Sequence, residues 1–258
     1  MKKILMFTYS IVAYLIAFGA ILFWIASMGN LIPGLGIDQE PQVPLVWALV
    51  NNLLLIALFG IQHSVMARKW FKDLFAKYFP RPIERSTFVL ASGLLLFNLV
   101  YNWEPIGGQL WEVATGSILY YTMYVVFFAG WAILFISSFL INHFDLFGLR
   151  QTFLELQNKP YTQLEFRITL FYKYVRHPLY FGMLLGVWAT PNMTATHLAF
   201  AIAITLYVIV GTLFEERDLM AEFGDTYRAY KAKKPMLIPF TKWNRESKQQ
   251  ARLKQELK

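Results

Sequence analysis

Residues 174–182 of the chain read YVRHPLYFG, and residues 215–219 read EERDL. Two apolar segments, residues 178–190 and 195–214, lie between them and turn at Pro191-Asn192. These segments predict a helical hairpin in lipid, with both polar stretches at its open end, which we call the hairpin mouth. Ionisable side chains are costly at lipid depth and are usually functional there. We therefore expect the hairpin mouth to bind a polar cofactor at the membrane surface.

Composition places the whole chain in a membrane. Of its 258 residues 57% are hydrophobic and 16% are charged, whereas about 25% are charged in ordinary soluble domains. The absence of cysteine excludes disulfides, thiolate metal sites and a cysteine nucleophile. We predict an all-α polytopic membrane protein with about six spans. Four of them, at residues 4–28, 45–66, 84–103 and 117–141, precede the hairpin.

The positions of lysine and arginine predict the topology. With a cytoplasmic N-terminus and six alternating spans, every lysine and arginine falls on the cytoplasmic side and the three outer loops have none. Both termini are therefore expected in the cytoplasm. This distribution explains the net charge of +8 without a nucleic-acid partner. We predict one domain over residues 1–239, with its cofactor-binding portion at 142–239, and a basic tail at 240–258.

Arg176, His177 and Pro178 stand where the first hairpin helix is expected to begin. Proline suits the first helical position because its missing N–H costs nothing there. The positive end of the helix and the arginine together favour an anionic ligand group. The alternative is that the arginine only anchors the helix to lipid phosphate. The neighbouring Tyr180 favours the ligand site.

Two adjacent carboxylates, Glu215 and Glu216, follow the returning helix. They would be unfavourable at a helix C-terminus, so we expect the helix to continue and stop at Gly224. The carboxylates suit a ribose diol or an ammonium group. The alternative is a solvated face paired with Arg217 or Lys231.

Tyr227 and Tyr230 follow with helical spacing and would share one face. They suit stacking on a base or a sulfonium cation, and an interfacial aromatic belt is the alternative. Gly182 and Gly186 lie one turn apart and favour close helix packing. His197 falls at the opposite end of the hairpin, outside the expected site.

Further ionisable side chains are expected at the same depth as the hairpin mouth. His63 lies near the end of the second span, Arg85 begins the third, and His143, Asp145 and Arg150 follow the fourth. Their convergence from different spans favours one site. His63 and His143-x-Asp145 lack the spacing of metal ligands, so we predict no metal site.

The motifs at the hairpin mouth resemble the isoprenylcysteine carboxyl methyltransferase and phospholipid methyltransferase superfamily. Its members are membrane enzymes that use S-adenosylmethionine. The rest of the chain resembles one branch, the bacterial methanethiol S-methyltransferases, which are related to the NnrU membrane proteins. The resemblance to this branch rests on residues 62–68, 84–87, 142–151 and 188–194. Residues 1–59 match only as a hydrophobic pattern, and Lys234 departs from the apolar residue expected before Pro235.

The resemblance implies methyl transfer from S-adenosylmethionine to methanethiol at the cytoplasmic face of a bacterial inner membrane. It implies that the thiolate is the nucleophile and that the products are dimethyl sulfide and S-adenosylhomocysteine. The implied cofactor residues are Arg176, His177, Pro178, Tyr180, Gly182, Glu215, Glu216, Tyr227 and Tyr230. The candidates for producing the thiolate are His63 or His143 as base, Asp145 as its orienting partner, and Arg85 or Arg150 as the charge that lowers the thiol pKa.

Three other functions share the hairpin pattern. One is methylation of a lipid or prenylated acceptor, and a second is a sterol-type reductase that uses NADPH. The third is a non-enzymatic membrane protein like NnrU. Membrane lipid is an expected partner under each reading, and the sequence leaves the oligomeric state open.

Overall fold

The computed structural model describes residues 1–241 and confirms the all-α prediction. Residues 242–258, most of the predicted basic tail, lie outside the described residues. A pair of short strands, β1 Gln109–Glu112 and β2 Asn192–Thr194, interrupts the helices. The helices are α1 Lys2–Met28, α2 Leu45–Met66, α3 Lys69–Tyr78, α4 Glu84–Tyr101, α5 Ile118–Ile141, α6 His143–Leu146, α7 Leu149–Leu156, α8 Pro178–Trp188 and α9 Ala195–Lys233.

Five helices of the described chain, α1, α2, α4, α5 and α9, are long and apolar enough to cross a membrane. The sixth predicted span, α8, has only 11 residues and rises about 16 Å, half of the hydrocarbon thickness. It begins at Pro178, as the proline predicted, and a separate 3₁₀ turn at Leu170–Lys173 precedes it. Helix α8 alone is therefore too short to cross the hydrocarbon layer, and its first residues lie beside the polar residues of the hairpin mouth.

Close packing against α5 fixes the position of α8. A Cβ atom on Gly182 would lie 2.5 Å from the carbonyl oxygen of Gly130, and one on Gly186 would lie 2.7 Å from the ring of Trp131. Any larger side chain at either position would force the two helices apart. Although the family motif includes Gly182 among the cofactor residues, its surroundings in the structure are the backbone of α5. Its contribution is therefore to hold α8 in place.

The turn of the hairpin is tied to the loops at that end of the molecule. Strand β1 pairs with β2 in antiparallel register, with Gln109 opposite Thr194 and Glu112 opposite Asn192. Strands of three and four residues are too short to give a periodic pattern, and both segments are predicted as loops from the sequence. The pairing closes the end of the hairpin opposite the hairpin mouth.

A buried polar group lies at this end, formed by Asn30, Asp38, Thr194 and His197, and we call it the far-end cluster. The Asp38 carboxylate accepts hydrogen bonds from Thr194 Oγ1 at 2.5 Å and Asn30 Nδ2 at 2.6 Å. His197 Nδ1 lies 3.2 Å from Asp38 Oδ2, and His197 Nε2 lies 2.8 Å from the Val187 carbonyl oxygen. The cluster joins the α1–α2 loop to the start of α9.

Candidate functional site

A buried carboxylate organises the hairpin mouth. The side chain of Glu216 is 2% exposed, and Nε and Nη2 of Arg176 each lie 2.6 Å from its Oε1 atom. Lys231 Nζ lies 2.9 Å from Oε2, and His177 Nε2 lies 3.2 Å from Oε1. We call these four residues the mouth cluster. Because the carboxylate is ion-paired on both oxygens, its burial is compensated.

Arg176 joins the start of α8 to the segment after α9. Its Nη1 atom donates to the carbonyl oxygen of Lys231 at 3.1 Å and to that of Lys234. Its backbone N–H donates to the carbonyl oxygen of Pro235 at 2.9 Å. Most donors of the guanidinium are thus used within the protein. The structure places Arg176 as a support of the site, which leaves the helix start as the more open anion position.

Unused hydrogen-bonding capacity lies next to this cluster. Oε2 of Glu215 is inaccessible and has no hydrogen-bond partner among residues 1–241, and it lies 3.7 Å from His177 Nδ1. The hydroxyl of Tyr180 lies beside the same carboxylate. Helix α8 begins at Pro178 without a side-chain cap, so its first N–H groups are also available. The first N–H groups of α8 as donors and Oε2 of Glu215 as an acceptor therefore lie close together.

The two tyrosines beyond Gly224 have different surroundings. Tyr230 donates its hydroxyl to the carbonyl oxygens of Tyr172 at 2.6 Å and Val175 at 3.1 Å. Tyr227 is 1% exposed, and its hydroxyl is buried without a partner in the described chain. Tyr230 therefore fastens the segment before α8, while Tyr227 brings a second unused polar atom to the hairpin mouth.

The end of α9 is bent where we expected it to stop. Gly224 has φ 54° and ψ −127°, a conformation that favours glycine, and the helix resumes beyond it to Lys233. An irregular segment, residues 159–169, runs beside this bend. Its Phe166 ring lies 5.8 Å from the ring of Tyr227, and its Gln163 side chain contacts Glu222. This segment adds an aromatic wall next to the unpaired tyrosine hydroxyl.

His63, on α2, faces α4 and α9. Its Nδ1 atom lies 3.2 Å from Ser92 Oγ, and its ring centroid is 4.8 Å from that of Phe88 and 6.2 Å from that of Tyr207. Within the part of the chain that the structure describes, its Nε2 atom has no hydrogen-bond partner. The ring is fixed on one side and open on the other, as a base requires.

His143 is held on both sides. Its Nδ1 atom lies 2.8 Å from Ser138 Oγ and its Nε2 atom 3.1 Å from the hydroxyl of Tyr14, and it is 2% exposed. Burial lowers the pKa of His143. Asp145 does not contact this ring, because its carboxylate pairs with Arg150 at 2.8 Å. The geometry therefore favours His63 over His143 as a base.

Arg85 and Tyr207 connect the two halves of the site. Arg85 donates from Nε to the carbonyl oxygen of Leu146 at 2.7 Å, and its charge reaches both His63 and Tyr180. The Tyr180 ring stacks at 5.8 Å on His177, and Tyr207 interacts with Tyr180. A row of side chains thus runs from the mouth cluster to His63.

Sequence reasoning missed Ser92, Tyr207 and Phe166. Phe166 belongs to a stretch without periodicity, and Tyr207 resembles a lipid-facing residue because its helix is apolar all round. A signal existed for Ser92, since it and Gln62 are polar side chains inside predicted spans.

Known proteins similar to this chain cover most of its length. No protein-family model and no solved structure matches it. A methanethiol S-methyltransferase of Crocosphaera subtropica is 45% identical over 218 residues, 84% of each chain. Methanethiol S-methyltransferase 1 of Bradyrhizobium diazoefficiens is 46% identical over 238 residues, 92% of this chain and 83% of the relative.

The chain belongs to the methanethiol S-methyltransferase family. This confirms the resemblance found in the motifs. Nurim of Bos taurus is a distant relative, 29% identical over 192 residues, which are 70% of each chain. The family and the five long apolar helices together make the protein an integral-membrane methyltransferase.

Proposed function

We propose that the protein transfers the methyl group of S-adenosylmethionine to methanethiol. The observation that carries the proposal is the Oε2 atom of Glu215, which has no hydrogen-bond partner in the described part of the chain and lies beside the uncapped start of α8. Family membership supports methanethiol as the acceptor, because the relatives carry that substrate in their names.

The residues of the hairpin mouth fit this cofactor. Glu215 offers an acceptor for its ammonium group or its ribose hydroxyls, and the first N–H groups of α8 offer donors for its carboxylate. The rings of His177, Tyr180 and Tyr227 provide surfaces for adenine and for the sulfonium cation. Arg176 and Glu216, which neutralise each other, keep α8 and α9 in register around these groups.

His63 performs the proton transfer in this proposal. Its Nε2 atom takes the proton of the thiol S–H group, and the charge of Arg85 favours the thiolate. S-adenosylmethionine supplies a methyl group on a sulfonium centre, which the thiolate attacks in line to give dimethyl sulfide and S-adenosylhomocysteine. The hairpin mouth and His63 thereby contribute by positioning two reactants, and positioning accounts for much of such catalysis.

We further propose that the active site lies on the cytoplasmic face of a bacterial inner membrane. The proposal rests on the distribution of lysine and arginine, which leaves the three loops at the far end without a positive charge. A small thiol and an apolar thioether can pass through lipid, so neither requires a water-filled channel.

The proposed function is tested with protein purified in detergent and supplied with S-adenosylmethionine and methanethiol in a sealed vial. We expect headspace gas chromatography to detect dimethyl sulfide that requires both reactants. His63→Gln is expected to lower kcat on the order of a hundredfold, with an unchanged Kd for S-adenosylhomocysteine. Folded wild-type protein that forms no dimethyl sulfide would contradict the choice of acceptor, and His63→Gln with wild-type kcat would contradict the choice of base.

A further inference from the structure

A polar group of three side chains lies within the apolar helices α2 and α4. Ser92 Oγ is 3.2 Å from His63 Nδ1, 3.3 Å from Gln62 Nε2 and 3.4 Å from Gln62 Oε1. Gln62 Nε2 also lies 3.1 Å from Met66 Sδ. The serine hydroxyl thus stands between the glutamine amide and the histidine ring. Polar side chains inside membrane helices are rare and tend to be functional.

We propose that Ser92 and Gln62 are positioning residues that fix the tautomer of His63. The serine hydroxyl has a single proton. When that proton is donated to Gln62 Oε1, the serine oxygen accepts from the N–H group at Nδ1 of His63. The imidazole is then neutral with its lone pair on Nε2, since the hydrogen bond of the ring to the described residues is at Nδ1. This inference rests on the proposed function, in which Nε2 takes the thiol proton.

The arrangement of the ring supports the proposal. The Phe59 ring is 5.5 Å from His63 and stacked on it, and Phe88 is 4.8 Å away. With these rings on its sides and Ser92 at Nδ1, the imidazole cannot rotate to present the other nitrogen. Arg85 on α4 is the charged group and Tyr207 on α9 the titratable group that face it. The described contacts of His63 include no carboxylate, so the hydrogen bond at Nδ1 comes from the Ser92 hydroxyl that Gln62 orients.

The test compares Ser92→Ala with Ser92→Thr, using two thiols of different acidity. Methanethiol needs a base, whereas trifluoroethanethiol is more acidic and reacts largely as a preformed thiolate. We expect Ser92→Ala to lower kcat for methanethiol about tenfold or more, with much less loss for trifluoroethanethiol. The Kd for S-adenosylhomocysteine stays the same, and Ser92→Thr, which keeps the hydroxyl, restores kcat. Gln62→Met acts on the same hydroxyl without touching His63 and should show a smaller loss of the same kind.

The outcomes separate the two proposals. Equal losses for both thiols, weaker binding of S-adenosylhomocysteine, or no loss in either Ser92→Ala or Gln62→Met would overturn the positioning role while the wild-type activity stands. Folded wild-type protein that methylates neither thiol would overturn the proposed function together with this inference.

Discussion

Each end of the hairpin buries a pair of ionisable side chains, Asp38 with His197 at the far end and Glu216 with Arg176 at the mouth. The two ends differ in whether the polar atoms around the pair have hydrogen-bond partners. In the far-end cluster the oxygens of Asp38 are bonded to Thr194, Asn30 and His197, and both nitrogens of His197 have partners. In the mouth cluster Glu216 is equally well paired. Next to it, the Oε2 atom of Glu215 and the hydroxyl of Tyr227 are inaccessible and have no hydrogen-bond partner among residues 1–241.

This difference in hydrogen-bond partners is our reason for assigning a structural role to one end and a binding role to the other. A buried polar group that lacks a partner costs about 1–3 kcal/mol, and a bound ligand or a catalytic role is one explanation for such a group in a native structure. The far end has no such group in the described residues of its cluster, so we assign it to holding the loops and helices together. The hairpin mouth has two such groups, Glu215 Oε2 and the Tyr227 hydroxyl, next to the ion pairs of the mouth cluster. We therefore assign the hairpin mouth to binding.

The largest expected effect is that of Glu216→Ala. It would leave the buried Arg176 guanidinium without its carboxylate, at a cost of about 3–5 kcal/mol. Thermal unfolding in detergent should show a Tm lower by roughly 10 °C. The matched control is Glu165→Ala, which removes the exposed pair with Arg167 and should change the Tm little. A Tm equal to that of the control would show that the mouth cluster does not support the fold.

Asp38→Asn tests whether the far-end cluster supports the fold without taking part in binding. Loss of the charge next to His197 should destabilise the protein by about 1–3 kcal/mol. The affinity for S-adenosylhomocysteine should remain within about twofold, because distant sites act independently. Both quantities are measured on one sample, the Tm by thermal unfolding and the affinity by titration with S-adenosylhomocysteine. A large loss of affinity at the normal Tm would put the far end in the binding site.

The far-end cluster also predicts a pH dependence. Burial raises the pKa of Asp38, but hydrogen bonds with His197, Thr194 and Asn30 outweigh it and leave the pKa below its ordinary value. The stability that this carboxylate contributes is therefore fully present above about pH 4, the ordinary aspartate value, and is lost as the pH falls through the lower folded value. The Tm difference between wild type and Asp38→Asn should be constant from neutral pH down to that point and then shrink. A difference that shrinks already at pH 6 would contradict this account.

The smallest effects come from the two tyrosines. Tyr230→Phe removes a hydroxyl that donates to carbonyl oxygens and should cost about 1 kcal/mol. Tyr227→Phe removes an unpaired hydroxyl and should leave the Tm unchanged or slightly higher. Its affinity for S-adenosylhomocysteine should fall by a few-fold if the ligand completes that hydroxyl. Equal Tm losses in the two variants would mean that Tyr227 has an ordinary structural hydrogen bond.

The sequence reveals the hairpin because polar side chains interrupt apolar runs, and the bounds predicted for α2 match those of the structure. It also predicts that the returning helix continues past Glu216, but it places the end of that helix at Gly224, where the structure has a bend and the helix resumes to Lys233. It does not reveal that Asp145 pairs with Arg150 and leaves His143 to Ser138. Such contacts depend on how each helix is rotated about its axis, and helices that are apolar all round carry no pattern that sets this rotation.

The most direct test of binding at the hairpin mouth is isothermal titration of detergent-purified protein with S-adenosylhomocysteine, using wild type, Glu215→Gln and Asp218→Asn. Asp218 lies three residues from Glu215, and its side chain is 74% exposed, so it is a matched control. We predict that Glu215→Gln keeps its Tm and loses at least about tenfold in affinity, or 1.4 kcal/mol, while Asp218→Asn binds like the wild type. Wild-type affinity in Glu215→Gln would contradict the assignment of the Glu215 carboxylate to the ligand.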